Sequence, residues 1–326
     1  MTSRFVITFL ILLIACKHSK QVELFSVPAH FPKPLYHFDQ NPLTAEGLAL
    51  GKTLFNDKLL SKDQSISCAS CHIQSDGFAQ RGRAFSLGVG GQPGIRNALA
   101  IQNLAWRSDF FWDGGVNDLD FVTMVPLKSE IEMHTELGTV LKKLRQSPVY
   151  PKRFQQVYGT PEITTARFTK ALSQYMLTLV SAHSRYDQYI QNRGLTFTSD
   201  EKAGLRLFKQ KCSSCHQGVL FTDQTYRNNG LEPTKDPGRY RLTELEKDRY
   251  TFRVPSLRNV AVTSPYMHDG RFASLEEVLA HYAKGIKETP NLDVQLKKNK
   301  GIPLTSLQQK QIIAFLHTLT DESFLK

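Results

Sequence analysis

"SISCASCHIQ" (residues 65–74) places two thiols three positions apart and an imidazole directly after them: Cys68, Cys71 and His72. The pattern returns in "KQKCSSCHQG" (209–218) as Cys212, Cys215 and His216. Two thiols at this spacing reach the two vinyl groups of one haem and form thioethers, and the next residue brings its imidazole under the iron. A four-cysteine zinc site or a pair of redox dithiols would use the same cysteines. Neither needs a histidine at the fifth position twice. The motifs therefore predict two covalently bound haem c groups, with His72 and His216 as iron ligands.

Outward from the motifs the chain repeats itself. "EGLALGKTLF" precedes the first motif and "EKAGLRLF" the second, both in helical rhythm. "RN" (96–97) and "WDG" (112–114) follow the first; "RN" (258–259) and "HDG" (268–270) follow the second. This predicts a mainly α fold of two cytochrome c-like haem domains related by duplication, with long loops wrapping the haems. The expected boundaries are 39–196 and 197–326. Apolar residues at helical spacing (Phe168, Leu172, Tyr175, Leu179) mark 162–192 as a long helical segment that ends the first domain, with Arg193-Gly194 as its stop.

Length and composition agree. The 326 residues suffice for two cores, and 40% hydrophobic with 22% charged is ordinary for a globular protein. A net charge of +11 favours acidic partners or an anionic surface. The basic residues are scattered and no zinc-finger or helix-turn-helix spacing occurs, so no nucleic-acid partner is expected. Arg4 precedes the apolar run Phe5–Ile14, which has the length of a signal-peptide core rather than a membrane span. "LIAC" (13–16) looks like a bacterial lipobox. That likeness implies a leader 1–16, cleavage before Cys16, a lipid on its sulfur, and a periplasmic protein anchored to a membrane. Residues 17–38, with Pro28, Pro32 and Pro34, read as an extended tether.

Taken together, "NPLTAEGLALGKTLF", the first CxxCH, "RNALAIQN", "FFWDGG", "IEM", the second CxxCH, "VPSLRNVAVTSPYMHDGRFASLEEVLAHY" and "IIAFLHTLT" resemble the di-haem cytochrome c peroxidases and MauG, over about residues 38–322. The resemblance implies unequal haems: a peroxidatic one on His72 and an electron-accepting one on His216. It implies that Trp112 relays electrons between them and that Glu132, in "IEM", lies over the peroxidatic iron. It also implies a calcium ion bound by Asn97, Thr263 and the carbonyl of Pro265. Without the resemblance, Trp112 reads as core and Glu132 as a solvated acid.

"SPYMHDGRFASLEEVLAHY" (264–282) holds four further candidate ligands, Met267, His268, His281 and Tyr282. Ser274 and Glu277 fit a capping box, and a helix starting there puts Leu275, Val278, Leu279 and Tyr282 on one face, with His281 off it. By itself that makes Tyr282 a core tyrosine. Among the relatives the peroxidases proper carry methionine at this position and the MauG-like group carries tyrosine. The resemblance thus implies Tyr282 as distal ligand to the C-terminal haem, with Met267 and His268 structural. Two departures stand out. Residues 73–95 contain no histidine, so His72 is expected to be the only protein ligand of its iron. Val122 occupies the place of a usual distal-pocket glutamine. The expected activity is reduction of hydrogen peroxide to water, with electrons from a small c-type cytochrome or cupredoxin. A MauG-like oxidase acting on a protein or organic substrate, and a non-catalytic di-haem electron carrier, are the alternatives.

Overall fold

The computed structural model describes residues 24–231 and 235–326. The leader 1–16, Cys16 and the first part of 17–38 lie outside the described residues. Among the described residues no helix is long and apolar enough to cross a membrane.

Each half is built on one helix pair. Ala45–Asn56, capped by the Thr44 hydroxyl on Gly47 N–H (2.9 Å), packs against Thr165–Leu177. Ser199–Lys211, with a Thr198/Glu201 capping box, packs against Ser306–His317. In both pairs a glycine lets two backbones meet. A Cβ at Gly51 would sit 2.0 Å from the Ala171 carbonyl oxygen, and one at Gly204 1.9 Å from that of Gln311. Gly51 and Gly204 stand four residues before Phe55 and Phe208, which fill the two cores. Both helices then lead into a CxxCH turn.

The fold is mainly α, as expected, with long irregular segments; Tyr226–Arg227 and Phe252–Arg253 form one short antiparallel pair. The first core gathers residues such as Leu54, Trp106, Phe154 and Phe168, the second Phe208, Ile312 and Phe315. The C-terminal tail crosses back: Phe324 packs in the first core, 5.4 Å from the Phe78 ring. The described part of the expected tether, residues 24–38, is extended but docked. Phe31 is buried there, and Trp106 Nε1 donates to the Pro32 carbonyl at 2.7 Å.

The segment 162–192 is not one helix. It breaks after Leu177, where the Thr178 hydroxyl donates to the Tyr175 carbonyl (2.7 Å) and Asn103 N–H claims the Leu179 carbonyl (2.9 Å). A second helix, Arg185–Ile190, restarts from a Ser184/Asp187 capping box.

The internal repeat runs in a register other than the one "RN" suggests. Asn103, not Asn97, matches Asn259. Both adopt left-handed φ (54° and 58°), both open a short 3-10 turn, and both donate N–H to a leucine carbonyl, Leu179 or Leu319, just past the paired helix. From there the two stretches track residue by residue. Phe111 and Met267 are left-handed (67° and 75°), Trp112 matches His268, and the Phe110–Val116 bridge matches Tyr266–Phe272. Asp118 and Ser274 then cap matching helices.

Candidate functional site

The two CxxCH turns are built alike. His72 Nδ1 lies 2.9 Å from the Phe78 carbonyl and His216 Nδ1 3.1 Å from that of Phe221. Each carbonyl is turned inward by a left-handed phenylalanine, Phe78 at φ 57° and Phe221 at 53°. Such a bond places the ring proton on Nδ1 and leaves Nε2 with its lone pair, the state an iron ligand needs. Burial holds both imidazoles below the usual histidine range, which keeps them neutral. It also pushes the Cys68 and Cys212 thiols up to about 12. Among the described residues no three His, Cys, Asp or Glu side chains gather into a metal-binding group, so the four cysteines do not meet as one zinc site.

Beside the second motif lies a cavity of about 440 Å³, lined by Cys212, Cys215, His216, Met267 and Tyr282 among others. It is an apolar, partly enclosed space of the size that takes a cofactor. Tyr282 is carried on a π-helical turn, His281–Gly285, that continues the helix Leu275–Ala280. Wider turns of this kind recur at functional positions. The Ser274 hydroxyl caps the helix by accepting from Glu277 N–H (3.2 Å), while the Glu277 carboxylate reaches Ala273 N–H (2.6 Å) rather than Ser274. His281, expected off the apolar face, is buried with Nε2 on the Asn229 carbonyl at 3.0 Å.

The Asn229 amide joins two candidate ligands, lying 3.4 Å from Met267 Sδ and 3.5 Å from the Tyr282 hydroxyl. Burial raises the Tyr282 phenol to about 12, so without a cation it keeps its proton. A ferric ion in reach would reverse that preference.

Trp112 is buried between the halves. Its Nε1–H donates to the Asn97 carbonyl (2.9 Å), and its ring meets that of His268 edge-on at 6.5 Å between centroids. Asn97 N–H donates in turn to the His268 carbonyl at 2.7 Å. Asp113, the second residue of WDG, is fully buried and holds Arg96 (2.6 Å) and Arg241 (2.5 Å). Trp112 and His268, counterparts in the WDG/HDG repeat, are thus also neighbours in space, which spacing alone did not reveal.

Glu132 follows the short helix Met124–Lys128 and its carbonyl accepts from Val89 N–H at 2.8 Å. Its side chain is open to water, yet the surrounding protein raises its carboxyl pKa. Its charge is felt at the Cys71 thiol, which places it near the first motif. Val122 is partly buried against the first core and matches Val278 in the repeat. Asn97, Thr263 and Pro265 all border the large cavity. The Asn97 amide nitrogen donates to the Arg83 and Ala84 carbonyls (3.2 and 3.1 Å), which points its oxygen away from them.

The sequence profile described as di-haem cytochrome c peroxidase matches residues 45–194. The methylamine utilization protein MauG of Methylorubrum extorquens is 35% identical, over 94% of this chain and 88% of that protein. Cytochrome c551 peroxidase of Nitrosomonas europaea is 34% identical, over 86% of this chain and 82% of that protein. Among solved structures, a MauG-like protein associated with microbial copper homeostasis superimposes with a TM-score of 0.83 at 31% identity, covering 93% of this chain and 97% of that one.

Proposed function

Because the chain belongs to the di-haem cytochrome c peroxidase family of oxidoreductases, whose members carry two c-type haems, we propose that it is a periplasmic enzyme reducing hydrogen peroxide to water. Cys68, Cys71 and His72 hold the N-terminal haem in this reading, and Cys212, Cys215, His216 and Tyr282 the C-terminal one. The paired Nδ1–carbonyl bonds and the cavity beside His216 support that fit. The unequal halves are taken as haem domains 39–196 and 197–326.

One observation carries the proposal. In the register of the repeat, Tyr282 falls opposite Pro126. The tyrosine presents a phenol oxygen on its side of the second site, whereas proline has no side-chain donor atom. With no histidine in 73–95 either, the first site is left open to a small oxidant while the second is closed.

When bound, the haem on His72 supplies the iron that accepts the oxidising equivalents of peroxide. Glu132 moves the proton. It takes one from the near peroxide oxygen and delivers it to the far one, which leaves as water. Burial raises its pKa, the direction that suits a group which must hold a proton as well as release one. Trp112, buried between the halves, relays electrons from the C-terminal side. A small c-type cytochrome or cupredoxin serves as donor. Asn97, Thr263 and the Pro265 carbonyl would hold a calcium ion between the halves, an all-oxygen set of the kind that ion takes. A lipid on Cys16 anchors the chain to a membrane.

Glu132→Gln is expected to lower peroxide turnover by ~10²–10⁴, the usual worth of such acid–base help, with both haem spectra retained. Unchanged turnover would remove Glu132 from the mechanism. Tyr282 favours a second reading, a MauG-like oxidase acting on a protein or organic substrate. Steady turnover of peroxide with a reduced small cytochrome as sole electron source supports the peroxidase; turnover only with an oxidisable protein or organic substrate supports the oxidase.

A further inference from the structure

A helix face that lines the second site has a counterpart at the first. Leu275, Val278, Leu279 and Tyr282 share one face of the helix Leu275–Ala280 and its π turn, and all four border the cavity beside the second motif. In the register of the repeat their counterparts are Leu119, Val122, Thr123 and Pro126. The first two end the helix Leu119–Val122, Pro126 lies on Met124–Lys128, and Thr123 joins them. This matched face carries one polar side chain, Thr123. It stands directly after Val122, the residue that occupies the place of the usual distal-pocket glutamine.

The Thr123 hydroxyl is cut off from water, in a residue only 7% exposed, and has no hydrogen-bond partner among the described residues. A helical threonine ordinarily returns its hydroxyl to a carbonyl one turn back. Thr53 does so onto Ala49 (2.8 Å), Thr178 onto Tyr175 (2.7 Å) and Thr318 onto Phe315 (2.6 Å). Thr123 does not. A buried hydroxyl without a partner costs stability, so its retention calls for a partner from outside the chain. Threonine has two favoured rotamers in a helix, and one step between staggered positions exchanges its methyl and hydroxyl. The segment of Glu132 is pinned to the same short helix. Met133 N–H donates to the Pro126 carbonyl (3.1 Å) and Thr135 N–H to that of Leu127 (2.8 Å). The carboxylate that senses the Cys71 thiol and the orphan hydroxyl therefore flank one helix at the first site.

We propose that Thr123 is the polar partner of peroxide at the first site, donating its hydroxyl proton in a hydrogen bond to the far peroxide oxygen. Val122 has no group that can do this. Glu132 moves the proton from the near oxygen to the far one, which leaves as water, and Thr123 keeps its own proton throughout. As the O–O bond breaks, the far oxygen gains negative charge, and a donor already in place stabilises it most at that moment. The inference deepens the peroxidase reading of the Glu132 site and rests on it.

The test uses the full protein with both haems and compares Thr123→Val, which keeps the shape and removes the hydroxyl, with Thr123→Ser, which keeps the hydroxyl. Fluoride titrated into the oxidised protein is the probe, because a bound fluoride accepts the same hydrogen bond. Thr123→Val is expected to bind fluoride ~10–100-fold more weakly, the worth of one hydrogen bond to a charged group, and to react with hydrogen peroxide more slowly by a similar factor. Thr123→Ser should recover most of both. The thermal midpoint of Thr123→Val should hold or rise, since the variant loses a hydroxyl that the protein itself does not satisfy. If Thr123→Val does not assemble, Thr123→Ala should show the same loss of fluoride affinity. Unchanged fluoride affinity, a serine variant as weak as the valine one, or a lowered midpoint for Thr123→Val overturns the proposal. A wild-type protein that binds fluoride but never reacts with peroxide overturns the peroxidase reading and the assigned substrate together, a result distinct from an unmoved fluoride affinity.

Discussion

Tyr282 is the side chain on which the proposed reading turns. An anionic phenolate favours ferric iron, whereas a thioether favours ferrous iron. The sulfur of Met267 shares the Asn229 amide with the phenol, so a replacement ligand is at hand. Tyr282→Phe is therefore expected to raise the C-terminal potential, and a methionine-ligated spectrum should appear as Met267 takes the vacated position. Potentiometry with near-infrared magnetic circular dichroism would check this. An unchanged potential would mean that Tyr282 is a core tyrosine. His281 carries the opposite lesson. Its pattern position lay off the apolar face, but the segment carrying Asn229 covers it and offers a backbone carbonyl to its Nε2.

At the level of elements, the two helix crossings are the most sharply specified contacts. Gly51 and Gly204 each face a backbone oxygen of the partner helix at a distance no Cβ can occupy. Backbone must shift to admit a methyl, and overpacking of this kind typically costs ~1–3 kcal/mol. Gly204→Ala is expected to destabilise the protein by that amount in denaturant unfolding, despite alanine's better helix propensity. A gain in stability would show that the crossing is looser than described. "EGLALGKTLF" and "EKAGLRLF" made these helices legible, because apolar period and capping residues are local signals. The break after Leu177 was not legible. It depends on Asn103, remote in sequence, claiming the Leu179 carbonyl.

Across the whole molecule, a buried cluster joins three distant parts of the chain. Asp187 accepts both guanidinium nitrogens of Arg258 (2.9 and 2.7 Å), and its Oδ1 also meets His30 at 2.8 Å. Arg258 lies over the rings of Phe31 and Phe221, and its Nε donates to the Val219 carbonyl at 2.8 Å. The N-terminal segment, the connecting helix and the second haem loop thus share one ion pair. Asp187→Asn leaves Arg258 charged and buried, and breaking such a pair costs ~3–5 kcal/mol. Chemical denaturation should register that loss, and residues 24–38 should become easier to cleave with protease. Burial opposes the Asp187 charge, but Arg258 and Ser184 outweigh it and hold its pKa below the ordinary 3.8. A carboxylate depressed in the folded state adds stability that is full above pH 3.8 and is lost as pH falls through its lower folded value. Acid should therefore loosen this junction only below about pH 3.8, and the variant should lack that transition.

The sequence by itself determined the covalent chemistry and the plan: two CxxCH turns, a helix ahead of each, a duplicated frame and the family. These are readable because thioether spacing, helical period and caps act over a few residues. Tertiary structure decided the rest. It set the repeat on Asn103 and Asn259 rather than on the two "RN" pairs, put Trp112 against its own counterpart His268, and set Pro126 opposite Tyr282. Each of these depends on which distant backbone groups hydrogen-bond and which side chains are cut off from water, and no local pattern encodes either.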